Sequence, residues 1–362
     1  MGSIGLREIR DYVEQMTPIL IRPTATSITI SLSKRFFIFQ IARQLIRVIE
    51  DEPYLNFISF LKNYKVLRSF LTGSISDIYR DRNKSYFRNF FTDKSLYELV
   101  KSDLEWIYER NRDIRLTVMK NGLVIYDNYK KNKFNILLLT VHSGAWMPKG
   151  IGAKQILTKA ERALEEDTEV QKVYGDLFLA KGGIWIDCKF SRFACDLNRA
   201  PGNAIYSKNS EKWAGDIWKQ ELSAAQRKGL MQVYDEFYFI LGKIVDAYKF
   251  NIIFDAHSMK DAPDRAEISF GTKYIPKFYL PVIKSMRKKM QKLGYRNVQL
   301  NAPYYGGHIL EWLSGKFPDL FIFSMEVNKK LYLDGGRKKV DEKRMAELSG
   351  NITNIFDIEE ET

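Results

Sequence analysis

His142, His257 and His308 are the only histidines among the 362 residues. Each stands in a short motif suited to a metal site: His142-Ser143-Gly144, Asp255-Ala256-His257-Ser258 and Gly306-Gly307-His308. Histidine is the commonest metal ligand and the side chain that titrates nearest neutral pH. A catalytic zinc site takes three protein ligands and leaves a fourth position for water. Two histidines therefore need a carboxylate, and Glu165-Glu166-Asp167-Thr168-Glu169 supplies candidates. An apolar-periodic segment follows (Val170, Val173, Tyr174, Leu177), so a helix starting there points Asp167 or Glu169 from its first turn. Acids are also favoured at helix N-termini by the macrodipole, and Asp167 or Thr168 could simply be the cap.

Two further stretches carry charge where chemistry needs it. Ser191 to Arg199 holds Arg192, Asn198 and Arg199. Arginine matches a carboxylate with two parallel hydrogen bonds, and a cation beside a developing oxyanion lowers a hydrolytic barrier. The alternative is a surface loop whose arginines pair with Asp196. In Leu320 to Asn328, Glu326 is surrounded by Phe323, Met325 and Val327. An acid among such neighbours is costly unless paired or functional, and burial raises its pKa toward that of a useful general base. The alternative places Glu326 in solvent at a sheet edge or against a lysine.

The elements that must position these groups are legible as short apolar runs. Asn135 to Val141, Ile184 to Phe190, Asn251 to Asp255 and Leu320 to Asn328 read as strands. His142 and His257 follow two of them. Ligand sites in open α/β sheets form beyond the carboxyl ends of strands, so these two residues are candidates to meet across 115 positions. Asp255 shares a strand face with His257; it could orient a ligand from behind or be a structural acid. Beyond the double glycine, Ile309 to Ser314 reads as a helix stopped by Gly315. His308 could line a substrate pocket, cap that helix or pack on Trp312. Phe278 to Lys292 reads as an amphipathic helix with its basic residues outward.

In order, the motifs TVHSG, DTE, SRFACDLNRAP, DAHS, FGT, NAPYYGGHILEWLSG and MEVNKKLYLD resemble the N-formylglutamate amidohydrolase family, over roughly residues 134 to 334. That family is related in fold to aspartoacylase and the zinc carboxypeptidases. The resemblance implies a three-layer α/β fold with a mixed sheet of the zinc-exopeptidase (phosphorylase/hydrolase-like) type. It implies one divalent cation, zinc, held by His142, Glu169 and His257. Glu169 stands where the family has the second aspartate of a DTD sequence, and Asp167 is the rival. Nickel, cobalt or iron could occupy such a ligand set. Arg192 resembles the arginine that steadies the oxyanion, Asn198 and Arg199 the pair that holds the substrate carboxylate, and Glu326 the catalytic carboxylate. The implied activity is hydrolysis of an N-acyl amino acid, such as N-formylglutamate, by zinc-activated water. The alternatives are a carboxypeptidase-like hydrolase of peptides and a non-catalytic protein whose basic surface takes an acidic partner.

Composition bounds the rest. The chain is 45% apolar, with a net charge of +13 and two cysteines, Cys188 and Cys195. The cysteines read as reduced core residues, not a disulfide framework. No run is long enough to span a bilayer, and the start of the chain carries no signal-peptide core. These features point to the cytoplasm, and the resemblance implies an enzyme with a small-molecule substrate. Clusters at Arg287-Lys288-Lys289 and Arg337-Lys338-Lys339 would attract nucleic acid or anionic membrane, but a solvated face is the simpler reading. Residues 1–130 lie outside the resemblance and read as a mainly helical extension, with helices over Phe36 to Ile49 and Leu96 to Tyr108 and a short strand over Ile28 to Leu32. Its role is open between an added domain, a lid and a homo-oligomer interface. Residues 131–345 form the hydrolase domain, and 346–362 read as an acidic tail, disordered beyond Gly350.

Overall fold

The computed structural model describes residues 21–23, 27–32, 106, 114–119, 122–131, 133–206, 217–334 and 339–357. The chain divides into two units, residues 1–128 with 239–244, and residues 129–238 with 245–362. In the first, β1 (Ile21–Pro23), β2 (Ser27–Leu32), β3 (Ile114–Met119) and β4 (Leu123–Asn128) pair in sequence order, each antiparallel to the next. β2 is the alternating strand expected over Ile28 to Leu32. Gly122, with φ of 84°, accommodates the left-handed turn into β4. The helices expected over 36–49 and, except for Trp106, over 96–108 lie outside the described residues.

The second unit carries the chemistry. Its elements are β5 (Ile136–Thr140), α1 (Lys149–Gly152), α2 (Lys159–Ala163), α3 (Val170–Lys181), β6 (Gly183–Cys188), α4 (Ala224–Ala247, except residues 239–244, which belong to the first unit), β7 (Ile252–Met259), β8 (Ile268–Gly271), α5 (Leu280–Lys292), β9 (Val298–Leu300), α6 (His308–Lys316), β10 (Ile322–Asn328) and α7 (Glu342–Ile355). The strands lie in the order β6-β5-β7-β10-β8-β9. The first four are parallel, β8 runs antiparallel to β10, and β9 is parallel to β8. This is the mixed α/β sheet expected.

Every residue of β5, β6 and β7 is buried. Strands covered on both faces lose the apolar–polar alternation of a half-exposed sheet and read as unbroken apolar runs. Helix α3 covers the middle of the sheet, with Tyr174 edge-on to Phe254 at 5.2 Å and Phe178 against Trp185 at 5.8 Å. Phe254 also meets Phe323 and Phe356, both at 5.1 Å between centroids. Truncating a ring so enclosed costs about 3–5 kcal/mol, so Phe254 is a principal tie between sheet and helices.

Several boundaries differ from expectation. β7 continues through His257 to Met259, so His257 is a strand residue. α6 passes through Gly315 and ends at Lys316. The acidic tail expected from residue 346 is helical as far as Ile355. Met345, Leu348, Ile352 and Ile355 recur at helical spacing and are all buried, and that periodicity outweighs the charge of the last residues.

Candidate active site

Strand β5 ends at Thr140, and the chain then turns through His142-Ser143-Gly144 against the end of β6. A Cβ on Gly144 would lie 2.1 Å from the Lys189 carbonyl carbon, so only glycine allows the approach. The Ser143 hydroxyl donates to Asp187 Oδ1, which also accepts from Thr140 Oγ1 at 2.6 Å. The turn is locked, and with it the His142 backbone. The His142 carbonyl in turn accepts from the Asp167 N–H at 3.0 Å.

One donor atom each from His142, Asp167 and His257 lies within 4.8 Å of the other two, and all three residues are buried. Asp167 Oδ2 is 2.9 Å from His257 Nδ1 and 3.8 Å from His142 Nδ1. The outer nitrogens point to buried acids. His142 Nε2 is 2.7 Å from Asp196 Oδ1, and His257 Nε2 is 2.9 Å from Asp255 Oδ1. A carboxylate behind each imidazole is the usual support of a metal-ligating histidine, fixing its tautomer and ring plane. His142 Nδ1 is buried and makes no hydrogen bond to a described residue. An inward-facing ring nitrogen without a partner fits a cation held by two imidazoles and a carboxylate.

Glu169, the third ligand expected, stands apart. It is the N-cap of α3, with φ of 60°, and its carboxylate pairs with Lys172 Nζ at 3.1 Å. The helix starts at Val170, so the segment before it is a loop that turns Asp167 inward and Glu169 outward. The third donor of the buried cluster is thus Asp167.

The site is rich in acids. Burial alone would raise the Asp196 carboxyl, but Arg192, His142 and Tyr206 hold it well below the usual carboxylate range. Arg192 Nη2 and Tyr206 Oη donate to Asp196 Oδ2 at 2.9 and 2.7 Å, and Arg199 Nε lies 3.4 Å from the same oxygen. Burial and the nearby Arg192 lower His142, which is therefore neutral. His257 is opposite. Burial works against its charge, but Asp255 and Asp167 raise its pKa well above the usual value. Glu326 lies beside His257 in the parallel register of β10 on β7. Burial is the chief cause that pushes its pKa up to about 7, with Asp167 and Asp255 adding to it and His257 and Arg192 opposing.

Of the residues proposed for substrate, Asn198 is fully engaged. Its Nδ2 lies 3.0 Å from both Asp255 Oδ2 and His257 Nε2, and its Oδ1 accepts from the Ile309 N–H at 3.0 Å. It joins the His257 support to the start of α6, and a Cβ on Gly307 would strike its side chain at 2.2 Å. The double-glycine motif thus makes room for Asn198. His308 opens α6 and turns to Glu311 at 2.9 Å, with its ring edge-on to Tyr238 at 5.8 Å. It belongs to the helix start and lies outside the buried cluster.

Sequence reasoning weighed Asp196 only as a partner for arginines and passed over Tyr174 and Lys329. The Tyr174 hydroxyl donates to the carbonyls of His257 and Met325 at 3.0 and 3.2 Å, pinning β7 to β10 beside the site. Its place in the apolar repeat of α3 concealed this. Lys329, 4% exposed, donates to the carbonyls of Ala163, Leu164 and Glu166 at 3.1, 2.8 and 2.5 Å. It ties the end of β10 to the loop that carries Asp167. Nothing in a Lys-Lys pair after a strand signals such a task.

A family model described as N-formylglutamate amidohydrolase matches residues 134–333. Among solved structures, the fold is similar to the N-formylglutamate amidohydrolase of Ralstonia eutropha JMP134, at 17% identity and a TM-score of 0.52 over 65% of this chain and 95% of that one. It is similar to gene product Atu2144 of Agrobacterium tumefaciens at 18% identity and a TM-score of 0.50, over 65% and 92% of the two chains. No match is found among curated proteins. The matched residues run from the strand that leads into His142 to the end of the segment that follows Glu326, and they span more than half of the sequence. The chain belongs to the N-formylglutamate amidohydrolase family.

Proposed function

We propose that this protein is a zinc-dependent amidohydrolase that releases the acyl group from an N-acyl amino acid, with N-formylglutamate the first substrate to test. The observation that carries the reading is the convergence of His142, Asp167 and His257 within 4.8 Å, with a carboxylate behind each imidazole. Two nitrogens and one oxygen suit zinc. The bound cation supplies a Lewis acid for the acyl oxygen and makes water acidic near neutral pH.

The protein's own groups do the rest. Glu326, raised to about 7, takes a proton from the attacking water and delivers it to the leaving amine. Arg192, fixed on Asp196, stands beside the acyl oxygen and shares its developing negative charge. Arg199 engages Asp196 through Nε and offers its terminal nitrogens to a substrate carboxylate. Asn198 sets the position of His257, and His308 flanks the substrate from the start of α6. The buried thiols of Cys188 and Cys195 fit a reducing compartment such as the cytoplasm.

The test is elemental analysis of the purified protein together with amine release from N-formylglutamate. About one zinc per chain and release abolished by chelation are expected. Hydrolysis that survives complete metal removal would overturn the reading.

A further inference from the structure

β10 runs into a single 3₁₀ turn (Lys329–Leu331), and Tyr332 follows it. Lys329 and Tyr332 are both buried, and both reach the loop that carries Asp167. The Lys329 ammonium donates to the carbonyls of Ala163, Leu164 and Glu166, and the Tyr332 hydroxyl donates to the Thr168 carbonyl at 2.8 Å. An ammonium has three donors, and three carbonyls match them. Ala163 ends α2 and Leu164 caps it, so two of these acceptors belong to a helix end that cannot satisfy them itself. Taking an ammonium from water to serve uncharged acceptors is a costly way to close a loop. What this loop holds is Asp167.

The segment that bears the two donors is itself fixed. The Leu333 N–H donates to the Lys329 carbonyl at 2.9 Å, and the Lys330 N–H to Asn328 Oδ1 at 3.0 Å. Arg344, in the first turn of α7, donates from Nη1 and Nη2 to the carbonyls of Lys330 and Leu333 at 2.8 and 2.7 Å. Across from it, the Glu166 carboxylate accepts from Ser191 Oγ at 2.5 Å and Arg162 Nε at 3.3 Å. The Asp167 N–H is taken by His142. The main chain is therefore held before, at and after Asp167. Its side-chain torsions are what remain to place Oδ2 at 2.9 Å from His257 Nδ1 and 3.8 Å from His142 Nδ1.

We propose that Lys329, with Tyr332, is a positioning residue that holds the Asp167 loop in its ligating geometry before a metal binds. The inference rests on the hydrolase reading above and deepens it. Lys329 acts through Asp167, and a ligand set in place beforehand loses less freedom when the cation arrives. Lys329 also stands only three positions beyond Glu326. One short segment thus fixes both the carboxylate assigned to the metal and the carboxylate assigned to the water.

Two measurements test it. The first needs no metal: amide hydrogen exchange of wild type, K329M and Y332F. The amides of Asp167 and Val170, which donate to the carbonyls of His142 and Asp167 at 3.0 and 3.2 Å, should exchange roughly 10-fold or more faster in K329M and roughly 3-fold or more faster in Y332F, while those of β5 and β6 keep wild-type rates. Y332F removes one oxygen and keeps the ring, so it decides the matter if K329M fails to fold. Wild-type rates at Asp167 and Val170 in Y332F or in folded K329M would overturn the proposal. So would an equal acceleration in β5 and β6, the mark of a general loss of stability. In the second, zinc affinity, read by competition with a chelating dye, should fall about 10- to 100-fold in K329M. It should recover in part in K329R, which keeps the charge but fans its donors in a plane. Zinc held as tightly by K329M as by wild type would overturn the assignment. A wild-type protein that takes up no zinc speaks against the hydrolase reading, while the exchange rates still decide Lys329.

Discussion

Glu326 allows function and stability to be separated in one substitution. Its pKa rises from an ordinary 4.5 to about 7, with burial the main cause. Each unit corresponds to about 1.4 kcal/mol, so the folded protein would disfavour the carboxylate by up to about 3 kcal/mol. The side chain is not wholly enclosed, and solvent screening reduces this to roughly 1–3 kcal/mol. The sign follows from linkage. An acid whose pKa is higher in the folded state binds more protons there, so stability falls as pH rises between the unfolded and folded values. The cost is absent below about pH 4.5 and complete above about pH 7. Glutamine at 326 has no proton to lose and escapes it.

The stability of metal-free E326Q relative to wild type should therefore increase by roughly 1–3 kcal/mol between pH 4.5 and pH 8. Urea unfolding of both proteins at the two pH values measures this. Contributions from other groups cancel in the difference, provided the substitution leaves them in place. The same variant should retain its zinc and lose about 10²- to 10⁴-fold in hydrolysis, the usual contribution of a positioned base. A stability difference that does not change with pH would refute the burial argument. Undiminished turnover would remove Glu326 from the chemistry.

Other consequences can be checked directly. Asp167→Ala should abolish zinc binding while Glu169→Ala leaves the stoichiometry intact, and metal analysis showing the reverse would restore Glu169 as the third donor. Asp196→Asn should weaken zinc affinity by about 10- to 100-fold through misorientation of His142, as read by competition with a chelating dye. Because Asp255 and Asp167 keep His257 protonated in the metal-free site and Glu326, at about 7, is roughly half protonated at pH 7, zinc binding at pH 7 should release between about one and two protons, seen as a dependence of the calorimetric enthalpy on the buffer. Cys188, pushed up to about 12 by burial, should have only about one thiolate in 10⁴ at pH 8, so native protein should resist alkylation that unfolded protein accepts.

The sheet and two of its histidines were legible because buried parallel strands write themselves as unbroken apolar runs. The site at their carboxyl ends follows from the topology. What was hidden depended on local geometry. Choosing Asp167 over Glu169 turns on where α3 begins, and a left-handed φ at a glutamate leaves no mark in composition. Asp196 sits inside an arginine-rich loop, where pairing with arginine and backing a histidine look identical until the chain is folded. In fact it does both. Lys329 shows the limit most clearly. A lysine that satisfies three carbonyls in the interior is indistinguishable in sequence from one in water. In α7 the apolar period was present, but the acids beyond it masked the signal.

The charge inventory of the metal-free site fits the proposed cation. Asp167, Asp196, Asp255 and Glu326 lie within electrostatic reach of one another or of the two imidazoles. Arg192 is tied to Asp196 through hydrogen bonds, and Lys329 is turned toward carbonyl groups. The metal-free cluster meets the deficit by protonating His257 and by holding Glu326 partly neutral. Both adjustments fall on groups to which the proposed mechanism gives a role, the first a ligand and the second a base. On the proposed reading, a divalent cation held by His142, Asp167 and His257 would supply the missing charge, return His257 to its neutral form and draw the proton from Glu326. Binding the metal and arming the base would then be one electrostatic event, and the same shifted equilibria that weaken the bare fold would favour the loaded one.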